Sequence, residues 1–173
     1  QPGRGPLHRG RRARGGARRQ SQLIKRLASS ASIRLQCGGG VRSRDDVLAL
    51  FDAGAARAVV GSTAVRKPGE VRRWIEEFGP EKICCAFDVR PDLAGEYRVA
   101  VDGWSEDGGI SLASLLACYP AGKLRHVLVT DISRDGALSG PNVDLISTII
   151  AGRPDLSVQA SGGVSSLGDL RAL

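Results

Sequence analysis

Asp88 closes an otherwise apolar run, ICCAFDVR. A carboxylate at the end of such a run is partly withdrawn from water, where it holds its proton more readily and suits general acid chemistry. A plainer use is a salt bridge to Arg90 or Arg42. Thr130 and Asp131 end a second apolar run, in VTDISRDG. A hydroxyl and a carboxylate there can orient a polar substrate, although Asp131 or Asp135 could instead serve only to order the following loop.

Gly-rich turns supply the second kind of chemistry. Gly39 and Gly40 follow LQCG, and Gly162 and Gly163 follow VQAS, each pair lying between a strand end and a helix start. Glycine lets the backbone approach an anion closely, and helix N-terminal amides point at it. Gly61, Ser62 and Thr63 after RAVV offer the same geometry with two hydroxyls. One such turn is often only a tight connection; a matched pair suggests a long substrate with a phosphate at each end. Trp104, in VDGWSEDGG, sits in a Gly-rich loop and suits a lid that stacks on a planar base, with core burial as the alternative.

These residues need a scaffold that brings strand ends together. Near-continuous apolar runs mark strands at Ile33 to Cys37, Arg57 to Gly61, Lys82 to Asp88, Arg125 to Asp131 and Ser157 to Ser161, as expected for a sheet covered on both faces. A shorter extended stretch covers Tyr97 to Val101. Helical stripes alternate with them: Val71, Trp74, Ile75, Phe78; then Leu112, Leu115, Leu116, Tyr119; then Val143, Ile146, Ile149, Ile150. The alternation predicts βα units around a parallel sheet. An internal repeat sharpens this. Gln36 to Leu50 aligns without gaps to Gln159 to Leu173, with eight of 15 positions identical. Ser43/Asp46 and Ser166/Asp169 read as capping boxes that open a helix in each copy. Four βα units between the copies suit half of an eightfold barrel. The expected fold is therefore an α/β, partial (β/α)8 (TIM) barrel, with strands 3 to 7 accounted for and strands 1 and 8 not.

Composition narrows the function. Hydrophobic residues make up 42% and aromatic residues 4% of the 173, so stacking platforms for single-stranded nucleic acid are not expected. The net charge of +7 is uneven. Residues 1–44 hold 12 of the 25 Lys and Arg and no Asp or Glu, leaving 13 basic against 18 acidic residues in the remainder, a net of −5. The body does not read as a nucleic-acid binder. No apolar run approaches the roughly 20 residues of a membrane helix. Cys37, Cys84, Cys85 and Cys118 form no C-x-x-C pair and read as reduced thiols of a cytoplasmic protein. With only His8 and His126 available, no metal site is expected. Residues 1–20 are rich in Gly and Arg without apolar periodicity. They are expected to be disordered, or a corrupted stretch, rather than an RNA-binding tail or a transit peptide, with the barrel domain covering 21–173.

Taken in order, LQCGGGVRS, AVVGSTAV, FDVR with VAVDGW, VLVTDISRDGALSG and QASGGVSS resemble the phosphoribosylformimino-aminoimidazole-carboxamide ribotide (ProFAR) isomerases of histidine biosynthesis. The resemblance spans roughly Gln22 to Leu173. The sister cyclase family, a lyase working with a glutaminase, shares the barrel and both glycine turns, but the GW loop and TDISRDG favour the isomerases. The resemblance implies an Amadori rearrangement of an aminoaldose to an aminoketose, on a bis-phosphorylated ribotide, without metal or organic cofactor, in a cytoplasmic protein that is monomeric when complete. It implies Asp88 as the general acid that opens the furanose ring and Thr130 as a residue that positions substrate. Gly39, Gly40 and Arg42, with Gly61, Ser62 and Thr63, match one phosphate side. Ser161, Gly162 and Gly163 match half of the other, and Trp104 packs on the substrate. The family's general base on the first barrel strand has no counterpart among these residues, so the 173-residue chain alone is expected to be inactive.

Overall fold

The computed structural model describes residues 12–30, 33–101, 106–137 and 139–173. In chain order the elements are α1 (Arg12–Ser30), β1 (Gln36–Gly38), α2 (Arg44–Asp52), β2 (Arg57–Val60), α3 (Ser62–Arg66), α4 (Pro68–Phe78), β3 (Ile83–Pro91), β4 (Tyr97–Val101), β5 (Glu106–Ser111), α5 (Leu112–Ala117), β6 (His126–Asp131), α6 (Val143–Gly152), β7 (Ser157–Ser161) and α7 (Leu167–Ala172). β1, β2, β3, β6 and β7 run parallel in that order. β4 and β5 form an antiparallel hairpin attached to the end of β3. A strand has two edges, and β6 occupies one edge of β3 from Cys84 to Val89. On the other edge β2 pairs with Ile83 to Cys85 and β4 takes over from Asp88 to Pro91. This handover is why β3 runs past Asp88, where the apolar pattern stops.

The helices form for reasons visible in their residues. α4 starts with Pro68 in its first turn, where a missing N–H costs nothing, and buries Val71, Trp74 and Ile75. Each such side chain contributes about 1.5–3 kcal/mol by leaving water. α2 and α7 open with complete capping boxes at Ser43/Asp46 and Ser166/Asp169, as the repeat implies. In α6 the buried face is Leu145, Ile146 and Ile149; Ile150, expected in the core, is 45% exposed. The main core lies between the sheet and these helices and includes Val47, Ile83, Phe87, Val99, Leu115 and Val127, all fully buried.

Two details differ from the sequence pattern at the N-terminal side. The segment expected to be disordered to residue 20 is helical from Arg12, so the boundary at 20/21 falls inside α1. Arg, Ala and Gln are good helix formers, and counting Arg only as charge missed this. Ile24 anchors α1 against Ala53 and Ala55. Residues 1–11 lie outside the described residues. β1 begins at Gln36 rather than Ile33, which is 63% exposed. No helix among the described residues is long and apolar enough to cross a membrane.

The sheet curls until its outer parallel strands face each other. β1 and β7 share no ladder among the described strands. Yet Gln36 Nε2 donates to Gln159 Oε1 (2.8 Å) and Gln159 Nε2 donates back to Gln36 Oε1 (3.1 Å). Arg57 joins this pair through Gln36 Oε1 (3.1 Å) and contacts His126 Nε2 (2.8 Å), which in turn meets Glu81 Oε2 (2.8 Å). These groups make a polar layer at the strand starts.

A second polar staple closes the helical layer. Arg153 donates to both carboxylate oxygens of Asp155 (2.8 Å each) and to the carbonyls of Leu116 (2.9 Å) and Tyr119 (3.0 Å), while Asp155 accepts from Gly122 N (2.9 Å). Hydrogen bonding from Arg153 holds the Asp155 carboxyl well below the usual carboxylate range, against the opposing effect of burial. A depressed folded-state pKa stabilises above the unfolded value near ~3.9 and loses that contribution as pH falls toward the folded value. Asp155→Asn is therefore expected to lower stability by about 1–2 kcal/mol at pH 7. The gap to the parent should shrink below pH ~4. Denaturant midpoints measured across pH check this, and equal midpoints at pH 7 would contradict it.

Candidate functional site

Alternation along the parallel strands decides which side chains enter the barrel interior. Phe87 and Val89 of β3, Val127 and Val129 of β6, and Val158 and Ala160 of β7 all pack toward the helices. Asp88, Thr130 and Ser161 therefore point to the opposite, interior side. They are also direct neighbours: Asp88 pairs in register with Thr130, and Thr130 with Ser161. At a strand spacing of about 4.8 Å the row spans roughly 10 Å along the mouth. Thr130 is buried at 9% exposure, and Asp88 and Ser161 are half-buried.

Both glycine turns leave the sheet at this same end, because β1 and β7 belong to one parallel set. Their backbones match across the repeat. Gly39 and Gly40 have φ of 106° and 70°, and Gly162 and Gly163 have 92° and 80°. Two amides just before the helix that follows each turn are already used. Arg42 N and Ser43 N donate to Asp46 Oδ2 (2.9 Å each), and Ser165 N (2.7 Å) and Ser166 N (2.9 Å) donate to Asp169 Oδ2. The hydrogen bond from Ser165 N leads those that hold the Asp169 carboxyl below its ordinary range. At Asp46 burial pushes the carboxyl up, and the bonds from Arg42 and Ser43 outweigh it. Those two amides at each turn are therefore committed to the capping carboxylate.

The third turn is fastened to the first. Gly61 caps the short helix α3, and Thr63 Oγ1 donates to Val41 O at 2.7 Å. Thr63 thus spends its proton on joining two turns, while Ser62 and Arg42 stand exposed. Trp104 lies outside the described residues.

Asp131 does not belong to the interior row. It points to the helix side and is 2% exposed. Its Oδ1 accepts from Ser133 N (3.0 Å) and Ser133 Oγ (2.6 Å), and its Oδ2 accepts from Asn142 Nδ2 (2.6 Å). The carboxylate orders the loop after β6, the alternative use that its sequence position left open. That loop reaches the second turn: Gly140 N donates to Gly163 O at 3.0 Å. A cavity of about 460 Å³ lies beside it, lined in part by Asp135, Gly136, Ser161, Gly162 and Gly163. Asp135, raised in the sequence only as a loop residue, lines this cavity. Asn142, Tyr97 and Arg134 were not singled out. An Asn before an apolar helical run signals a cap. Its bond to Tyr97, 45 residues away, has no sequence signature.

Four thiols are unpaired: Cys84 and Cys85 are buried, and Cys37 and Cys118 half-buried. Burial pushes Cys84 up to about 11, so it is protonated and unreactive at neutral pH.

A family model described as Histidine biosynthesis protein matches residues 12–173. The chain belongs to this family. It is 52% identical over 157 residues to a protein of Cronobacter sakazakii, 50% to one of Citrobacter koseri and 49% to one of Klebsiella pneumoniae. Each of these is named 1-(5-phosphoribosyl)-5-((5-phosphoribosylamino)methylideneamino) imidazole-4-carboxamide isomerase. The match covers 91% of this chain and 64% of each relative's length. The stretch matched by the family model includes the interior row and both glycine turns.

The two turns differ in one respect that can be measured. A Cβ on Gly163 would sit 2.2 Å from Gly140 O, whereas one on Gly40 would meet nothing within 4 Å. Gly40→Ala is expected to lose only the cost of the left-handed backbone, about 1–2 kcal/mol. Gly163→Ala should lose clearly more and disturb the β6–α6 loop. Denaturant unfolding of both variants checks the order; equal losses would contradict the close approach.

Proposed function

We propose that this chain carries the acid side and the anion-holding turns of an aldose–ketose isomerase that performs an Amadori rearrangement on a bis-phosphorylated ribotide in histidine biosynthesis. The observation that carries the proposal is the interior row Asp88, Thr130 and Ser161 at the strand ends, flanked by two glycine turns of matching conformation. Family membership and the names of the relatives support it.

In this reading the glycine turns each hold one phosphate and fix the substrate across the mouth. Orientation of this kind can supply several kcal/mol of the barrier without any covalent step. Asp88 gives its proton to the furanose ring oxygen. The nitrogen lone pair on C1 expels that oxygen, the C1–O bond breaks, and a C1–N imine forms. Removal of the C2 proton by a base on the other face of the sugar gives the enolamine, which tautomerises to the aminoketose. Protons balance and no electrons are gained or lost, so these steps need no redox cofactor. Thr130, beside Asp88, orients the sugar. A chain of the relatives' full length would work on a small molecule as a monomeric cytoplasmic enzyme.

Asp88→Asn keeps size and hydrogen-bonding capacity but removes the proton donor. In a chain extended to the length of its curated relatives, kcat is expected to fall by about 10²- to 10⁴-fold, with KM changed only a few-fold. Steady-state assay with the aminoaldose substrate checks this. Turnover within a few-fold of the parent would remove Asp88 from the mechanism.

A further inference from the structure

Asn142 uses its whole side-chain amide. Oδ1 accepts from Leu145 N at 3.1 Å and caps α6. Nδ2 carries two hydrogens, and it contacts Asp131 Oδ2 at the end of β6 and Tyr97 Oη at the start of β4, each at 2.6 Å. The cap fixes which end of the amide is the acceptor, so both remaining bonds are donations from nitrogen. A cap alone needs only one oxygen, which a serine provides. The two further donors tie α6 to two separate strands.

What they tie leads to the mouth. The described residues between Asp131 and Asn142 belong to the β6–α6 loop. Arg134 braces it by donating to Gly140 O (3.3 Å) and Pro141 O (3.4 Å), and Gly140 N holds Gly163 O. Asn142 is thus the far post of a loop whose other contacts press on the β7 glycine turn. Tyr97 adds the β4–β5 hairpin to the same post.

We propose that Asn142 is a positioning residue: it seats the β6–α6 loop on the β7 glycine turn and couples that seating to the β4–β5 hairpin, so that anion binding at Gly162 and Gly163 depends on the hairpin being in place. The proposal rests on the reading of that turn as an anion site.

Three variants of the 173-residue chain test it, with inorganic sulfate as the probe because its charge is constant between pH 5 and 8. Asn142→Ser keeps the cap and removes both donors. Amide exchange protection should fall about tenfold in both 97–101 and 132–141, the size of one lost hydrogen bond to a charged group. Sulfate affinity, read from the Gly162 and Gly163 amide shifts, should weaken about fivefold to tenfold, while Gly39 and Gly40 respond as in the parent. Tyr97→Phe removes one acceptor and should loosen 97–101 with a smaller loss of affinity. Asn142→Asp keeps the cap and sets a carboxylate against Asp131, with Arg134 Nε 3.7 Å from Asp131 Oδ2 and the Tyr97 hydroxyl as the other groups facing it. Two carboxylates in one site share a proton at low pH and repel once both ionise. Protection factors and affinity in Asn142→Asp should therefore approach the parent at low pH and fall as pH rises, a dependence a plain cap does not produce.

Unchanged protection and affinity in Asn142→Ser would overturn the proposal. So would loosening confined to the first turn of α6. If sulfate leaves Gly162 and Gly163 unmoved in the parent, the anion-site reading fails, and the exchange data alone decide whether Asn142 couples the two segments.

Discussion

Hydrogen bonding of five strands in one direction forces every strand exit onto the same side of the sheet. The other features of the site depend on that constraint. Asp88, Thr130 and Ser161 become a row because the ladders from β3 to β6 and from β6 to β7 place them directly opposite one another. The two glycine turns, 123 residues apart, share a mouth for the same reason. An antiparallel arrangement would send alternate turns to opposite ends, and no substrate of a few sugar rings could reach both.

The repeat adds symmetry to this constraint, and the interior uses it. Gln36 and Gln159 are equivalent positions of the two copies, and they bond reciprocally to each other. The equivalent serine–aspartate boxes cap α2 and α7 in the same way. The copies then diverge in what holds each turn. The first turn is joined to β2–α3 through Thr63, and the second is covered by the β6–α6 loop through Gly140. One backbone conformation is thus supported from two different neighbourhoods.

Much of this was legible in the sequence. The five parallel strands, the capping boxes and the glycine turns leave local signals, and parallel strands buried on both faces read as apolar runs. What was not legible depends on pairings between distant segments. The apolar pattern of β3 stops at Asp88, yet the strand continues because β4 arrives to pair with it. Asp131 and Asp88 look alike in sequence, each a carboxylate ending a strand. Phase along the strand separates them: Asp88 faces the interior, and Asp131 faces Ser133 and Asn142. In α1 the one buried anchor among the described residues is Ile24, which meets Ala53 and Ala55 beyond the arginine-rich run, a contact that composition does not signal.

The account stands on both turns gripping one ligand. The most direct test is a backbone amide NMR titration of the chain with the bis-phosphorylated ribotide. The account expects Gly39, Gly40, Gly162 and Gly163 to shift together along a single saturation curve at one ligand per chain. Shifts at only one turn, or two independent curves with two ligands bound, would contradict it.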